Sequence, residues 1–168
     1  MSEGAQYPSC KIGQGRLSIR WMIRRDMEEV LRIEAASFDE PWGEIDLIRV
    51  LRSRSTIGVV AELDGSVEGF AVYDLLPKMI RLVNFAVCPT IRRRGIGSAM
   101  LSKLVAKLTP GRRSRLEATV RETNLGAQKF FASQGFRAVR VVAGCYDNTE
   151  ESGYLFRYTA AASPALPQ

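Results

Sequence analysis

The 168-residue sequence contains no histidine. That absence removes several chemistries, because Ser-His-Asp and Cys-His nucleophile activation, His-ligated catalytic zinc and imidazole proton shuttling all need the missing side chain. Proton transfer near neutral pH therefore falls to a carboxylate, a tyrosine, a cysteine, a lysine or an ordered water. Cysteine is scarce as well: Cys10, Cys88 and Cys145 are odd in number and show no CxxC spacing, so neither a disulfide framework nor a Cys-built zinc site is implied, and no metal is expected. Long apolar runs are also missing. No stretch approaches the roughly 20 residues needed to span a bilayer, and the first fifteen residues carry no hydrophobic segment followed by a small-residue cleavage site. The expectation is a cytoplasmic protein with no membrane partner.

What is present is ordinary for a globular domain: 46% hydrophobic residues and 25% charged. The length argues for one domain, taken as residues 17–159, between a flexible N-terminal arm (1–16) and a Pro/Ala tail (160–168). The charge is +6, from 24 Lys and Arg against 18 Asp and Glu, and its first suggestion is a polyanionic partner.

Periodicity orders the elements. Leu17–Ile23 reads as a strand, and Asp26-Met-Glu-Glu29 as a capping box opening a helix through about Ala36. Pro41 interrupts before a second helix carrying Ile45, Leu47, Ile48 and Leu51, with two exposed aromatics, Phe38 and Trp42, expected in the intervening loop. Asp64-Gly65 predicts a hairpin between strands Thr56–Leu63 and Ser66–Leu75. A strand over Ile80–Cys88 follows, then a helix from Gly95 to about Leu108, a strand over Arg115–Arg121 and a helix over Asn124–Gln134 ended by Gly135. Phe136–Tyr146 and Tyr154–Tyr158 form a last strand pair. The order β-α-α-β-β-β-α-β-α-β-β is a mixed α/β fold, a largely antiparallel sheet with helices on both faces.

One segment carries chemistry. In Val83–Leu101 an apolar strand runs into Arg92-Arg93-Arg94-Gly95-Ile96-Gly97-Ser98, where two glycines open an amphipathic helix. Glycine lets the backbone approach a ligand, and the first-turn amides lack internal partners, so the pair makes an anion site that the helix dipole reinforces. Phosphate is the natural guest, and arginine forks suit its oxygens. The segment is neither a Walker A loop nor a GxGxxG fingerprint. The plainer alternative is a tight loop with a solvated run of charge.

Arg92–Ser98, preceded by Phe85-Ala86-Val87-Cys88-Pro89, resembles the acetyl-CoA motif Gln/Arg-x-x-Gly-x-Gly/Ala of the GCN5-related N-acetyltransferases. Val120-Arg121-Glu-Thr-Asn124, followed by Ala127, Phe131, Gly135 and Phe136, is similar to the next strand–helix segment of that family, and Phe38-Asp-Glu-Pro-Trp42 resembles its ribosomal-protein-alanine (RimI) branch. The resemblance spans about residues 17–159. It implies acetyl transfer from acetyl-CoA to an amine, with pyrophosphate on Arg92, Arg93, Arg94, Gly95, Ile96, Gly97 and Ser98. The pantetheine arm then lies along Phe85, Ala86 and Val87, and Asn124 and Phe131 stand beside its far end. Asn124 is equally an N-cap. The Val87 amide could polarise the thioester carbonyl.

The catalytic pair of that branch, a glutamate before the Val-Arg and a tyrosine seven residues after the asparagine, is here Thr119 and Phe131. Glu117 is one replacement, two residues earlier on the same strand face; the alternative is an ion pair with an arginine nearby. Tyr146 is the other, as acid or substrate-ordering hydroxyl, against a packing role. Glu34, Phe38, Trp42 and Tyr146 are candidate acceptor-side residues, and Glu34 could equally anchor a loop. The acceptor is expected to be a protein or peptide N-terminus, including that of a ribosomal protein. The rivals are a small-molecule amine and a noncatalytic CoA-binding module on a ribosome. Direct nucleic-acid recognition is disfavoured, since interleaved aromatics and an RNA motif are absent. Monomer and homodimer both remain open.

Overall fold

The computed structural model describes residues 10–12, 15–147 and 150–161. Strands and helices follow the order β1 (Cys10–Ile12), β2 (Gly15–Trp21), a 3-10 turn (Arg24–Asp26), α1 (Met27–Ser37), α2 (Glu44–Leu51), β3 (Thr56–Leu63), β4 (Ser66–Leu75) and β5 (Met79–Val87). A second 3-10 turn (Pro89–Ile91) leads to α3 (Ile96–Val105), β6 (Arg115–Arg121), α4 (Leu125–Ser133), β7 (Arg137–Val142) and β8 (Gly153–Thr159). The strands form one sheet in the order β1-β2-β3-β4-β5-β6-β8-β7. The ladders β1/β2, β2/β3, β6/β8 and β7/β8 are antiparallel and β5/β6 is parallel, so the expected mixed, largely antiparallel α/β class is what the chain adopts. Among the described residues no helix is long and apolar enough to cross a membrane.

Contacts divide the chain into two units. The first comprises the described residues up to Tyr73 together with Asn84–Met100; the second comprises Asp74–Val83 with the described residues from Leu101 onward.

In the first unit, β2 alternates in burial with Leu17 and Ile19 inward, as a strand with one wet face must. The β3–β4 hairpin turns on Asp64 (φ 50°) and Gly65 (φ 88°), the two left-handed residues of a type I′ turn. Its core joins Val30 and Ile33 of α1, Leu47 of α2, Val60, Phe70 and Val72 of the hairpin, and Ala86 of β5. Phe38 and Trp42 pack against this core and are half-buried. The expectation of exposed aromatics is thereby corrected: the α1–α2 loop folds its rings inward, which is how a loop with large apolar residues avoids leaving them wet.

Two further expectations change. A strand, β1, lies inside the segment taken as a flexible arm, and β2 begins at Gly15. Residues 1–9, 13–14 and 162–168, most of the expected arm and tail, lie outside the described residues. Asp26 does not cap α1. Its carboxylate turns back to accept from Arg20 Nη1 and Nη2 at 2.7 and 2.8 Å and from the Ile23 amide at 2.8 Å. A guanidinium fork on a neighbouring strand outcompetes the helix's own amides, because charge-assisted bidentate bonds are the stronger kind.

In the second unit, Leu116, Ala118 and Val120 of β6 and Phe156 of β8 face inward. Phe131 of α4 lies 5.1 Å from Phe136 and 6.1 Å from Phe156, ring centre to ring centre. The helix ends in a Schellman motif, as Gly135 foretold: at φ 87°, its amide reaches Ala132 and the Phe136 amide reaches the Phe131 carbonyl.

Candidate functional site

The first unit carries the phosphate-site candidates. The β5 strand ends at Val87, whose carbonyl accepts from Arg92 Nε at 3.0 Å, while Arg92 Nη2 reaches Ser37 Oγ at the end of α1, 3.2 Å away. Arg92 is thus committed to holding the loop between β5 and α1. Arg93 and Arg94 are exposed. Arg93 has φ 65° and Gly95 φ 86°. A non-glycine residue in the left-handed region costs about 1–2 kcal/mol, and strain of this kind persists where the surroundings impose it, commonly at ligand sites. Ile96 is fully buried and pins the start of α3, leaving Gly97 and Ser98 half-buried in its first turn. The amides there are the helix's unpaired donors. Two left-handed residues, a helix N-terminus and exposed arginines fit a polyphosphate well.

Glu34 is 97% shielded and pairs with no cation in its immediate hydrogen bonding. Its Oε1 accepts from the Trp42 amide at 2.9 Å and its Oε2 from Asn84 Nδ2 at 2.9 Å. Burial raises its pKa above the usual carboxylate value, and the two hydrogen bonds only partly oppose that. Geometry makes Glu34 the anchor of the α1–α2 loop. Asn84, absent from the sequence-based candidates, is the residue that fixes it, and nothing in its local pattern announces a partner 50 positions away.

Truncating Glu34 to alanine strands the Trp42 amide and Asn84, an expected loss of about 1–3 kcal/mol by denaturant unfolding. The pH dependence has a definite sign. A carboxyl with a raised folded pKa binds more protons folded than unfolded, so its contribution falls as pH rises from the ordinary carboxylate value through the raised one. Glu34→Gln should flatten that part of the stability–pH curve while keeping most of the stability; an unchanged curve would deny Glu34 this role.

The second unit gathers a different set. Position 153 has no room for a β-carbon, which would fall 2.6 Å from Thr119 Cγ2, 2.9 Å from Cys145 Sγ and 3.5 Å from Tyr146 Cε2. Thr119, Cys145 and Tyr146 therefore meet over Gly153, where β8 begins. Arg121 lies over the Tyr146 ring, its Cζ 3.9 Å from the centroid, and donates through Nη1 to Glu151 Oε2 at 2.9 Å. Glu151 also accepts from the amide and hydroxyl of Thr123, which hold its carboxyl below the usual value. Burial, with Cys145 beside it, pushes the Tyr146 phenol up to about 12, so it is protonated at neutral pH. Arg121 and Cys145 were not among the sequence candidates, and the Val120-Arg121 motif hinted only at the first of them.

Three sequence candidates have other partners. Glu117 Oε1 accepts from Arg115 Nε at 3.1 Å and Arg157 Nε at 2.8 Å, the ion-pair alternative, which leaves it poorly placed to act as a base. Phe131 is buried in the aromatic core, packed on Phe136 and Phe156. Asn124 Oδ1 accepts from the Ala127 amide at 3.1 Å and so caps α4.

A sequence model described as the acetyltransferase (GNAT) family matches residues 27–136. The [ribosomal protein bS18]-alanine N-acetyltransferase of Haemophilus ducreyi is 27% identical over 128 residues, covering 76% of this chain and 88% of that one. An L-2,4-diaminobutyric acid acetyltransferase of Nocardia farcinica is 37% identical, but over 78 residues, 45% of this chain and 40% of its own. Among solved structures, the ribosomal-protein-S18-alanine N-acetyltransferase of Escherichia coli superimposes with a TM-score of 0.76 at 22% identity, over 90% of this chain and 99% of that one, a likeness of fold.

Proposed function

The chain belongs to the acetyltransferase (GNAT) family, and from that premise we propose that it transfers the acetyl group of acetyl-CoA to the α-amine of a protein or peptide, in the cytoplasm and as a monomer or homodimer. The observation that carries the cofactor half is the left-handed Arg93–Gly95 loop opening α3. The Arg93–Ser98 amides would hold the pyrophosphate, with Arg93 and Arg94 supplying charge and Arg92 fixing the loop. The main chain of Phe85-Ala86-Val87 would take the pantetheine arm as a strand takes a neighbour.

In the reaction the amine nitrogen attacks the thioester carbonyl carbon, the carbon–sulfur bond breaks, one amine proton leaves to water and the sulfur is protonated. The Val87 amide would polarise the carbonyl. Tyr146 suits a hydrogen bond to the departing sulfur better than complete proton release. A phenol near 12 is a weaker acid than a thiol near 8.5, and the roughly 3.5-unit gap amounts to about 5 kcal/mol uphill. Glu34 would shape the acceptor loop through Trp42, with Phe38 beside it. With Glu117 held by two arginines, no side chain among the described residues is an evident base, and positioning would supply the acceleration.

The acceptor class rests on the activity of the Haemophilus ducreyi relative and on that of an N-alpha-acetyltransferase of Sulfurisphaera tokodaii, 25% identical over 142 residues. The Nocardia farcinica likeness favours a small diamine as second reading. Tyr146→Phe should lower kcat about ten- to a hundredfold, the worth of one hydrogen bond to charge, with the Kd for acetyl-CoA unchanged. An undiminished kcat would assign the tyrosine to packing. A panel of peptides and small amines offered with acetyl-CoA separates the two acceptor readings, and inactivity toward both would leave a CoA-binding module.

A further inference from the structure

The second unit has one sheet face on which arginine dominates. Register places Arg81 beside Glu117, Glu117 beside Arg157 and Arg157 beside Arg137, a row crossing β5, β6, β8 and β7. Partners in register project from the same face of a sheet. Arg115 joins them, since it bonds Glu117. Among the described residues two carboxylates answer these guanidiniums: Glu117, held by Arg115 and Arg157, and Asp74, held by Arg81 at 2.8 Å.

The edge strand adds a feature that local stability does not explain. Arg137 and Arg140 are three residues apart, and on a regular strand they would point to opposite faces. The register of β7 shifts between Ala138 and Arg140, so that Arg140 pairs with Leu155, two positions from the Arg157 that faces Arg137. The bulge turns both arginines to one side. Both are exposed, and among the described residues neither makes an ion pair. Arg137 moreover stands directly opposite Arg157, an arrangement that like charge disfavours. Thr119 pairs with Leu155 and so lies in the Arg140 row.

We propose that this face docks an acidic stretch of the acceptor polypeptide, a few residues beyond the amine that is acetylated. The inference rests on the polypeptide-acceptor reading and names the chemistry of its flank. Carboxylates already satisfy guanidiniums here, at Glu117 and Asp74. None of the residues paired in these rows is aromatic, and the ring that adjoins them, Tyr146, is already covered by Arg121, which argues for a peptide over RNA. The arginine row is one two-residue step, about 7 Å, from Thr119, which meets Tyr146, the residue assigned above to the departing sulfur. At about 3.5 Å per extended residue, the acids fall roughly two to five positions after the acetylated one.

The test compares two peptides that share their first residues and continue with either Asp and Glu or Ser and Gly. The acidic peptide should show a KM about tenfold lower at equal kcat, the effect of a few exposed ion pairs together. That advantage should vanish in Arg137→Glu/Arg140→Glu and in about 0.5 M salt, while the acetyl-CoA thermal shift of the variant stays as in the wild type. Equal KM values, or an advantage that survives in the variant, overturn the inference. Fluorescence anisotropy of the labelled acidic peptide needs no turnover. Arginine-dependent binding without acetylation of either peptide refutes the α-amine reading and keeps the surface, whereas acetylation without acidic preference does the reverse. Oligouridylate that displaces the peptide and loses its own affinity in the variant would make the face an RNA surface and overturn the proposal.

Discussion

Acetyl-CoA at about 100 times its Kd is expected to stabilise the wild-type protein by about 2.7 kcal/mol, which for a chain of this size should raise Tm by about 5–10 °C. In Gly95→Glu the shift is expected to disappear. Gly95 sits at φ 86°, which a glutamate adopts at a cost of about 1–2 kcal/mol, and its carboxylate would stand where a pyrophosphate must bind. Strain alone could lower the stability of such a variant, so a control is needed. Gly65 offers one: at φ 88° it is equally left-handed, nothing lies within 4 Å of an added β-carbon, and it turns the β3–β4 hairpin. Gly65→Glu should lose comparable stability and retain the full ligand shift. Persistence of the shift in Gly95→Glu would remove the phosphate site from the Arg93–Ser98 loop.

The largest loss of stability is expected at Asp26. Its carboxylate is 97% shielded, bonded to both Arg20 nitrogens and to the Ile23 amide, and Arg20 reaches on to Glu62 at 3.0 Å. Asp26→Ala strands the Ile23 amide and takes the bidentate partner from Arg20, which is partly exposed and keeps Glu62, a change expected to cost about 2–4 kcal/mol. Against a total of about 5–15 kcal/mol that is a large fraction, readable as a lower urea midpoint at constant m-value. Burial alone would raise the Asp26 pKa, but the Arg20 fork and the Ile23 amide outweigh it and hold the carboxyl below the usual range. A depressed folded pKa gives stability that is present above the unfolded value of about 3.9 and lost as pH falls through the folded one. Asp26→Asn should therefore erase part of the acid limb of the stability–pH curve. A variant as stable as the wild type would show the network to be ornamental.

Features governed by neighbours in sequence were legible beforehand. Asp64-Gly65 gave the edges of β3 and β4 to the residue, because a type I′ turn leaves no slack in register. Gly135 ended α4, and Asn124 capped it, for equally local reasons. Features settled across the sheet were not. The Asp26 pattern reads as a cap until Arg20, six residues earlier on β2, claims the carboxylate. Glu117 looks available until β8 delivers Arg157 from 40 positions away. Phe131 occupies a family slot, yet its ring turns into the core with Phe136 and Phe156. The position of Glu34 in the sequence suits an acceptor contact and a loop anchor equally, and Asn84, in a distant strand, decides for the anchor. The meeting of Thr119, Cys145 and Tyr146 over Gly153 is likewise invisible to motif spacing.

The central claim, acetyl transfer to a polypeptide α-amine, is tested most directly by incubating the purified chain with acetyl-CoA and a short peptide and reading the product by mass spectrometry with fragment assignment. One acetyl group per peptide is expected, located on the α-amine, appearing together with an equal amount of free CoA thiol and absent in Gly95→Glu. Peptides left unmodified while a small diamine is acetylated, or CoA bound without any acetyl acceptor consumed, would contradict it.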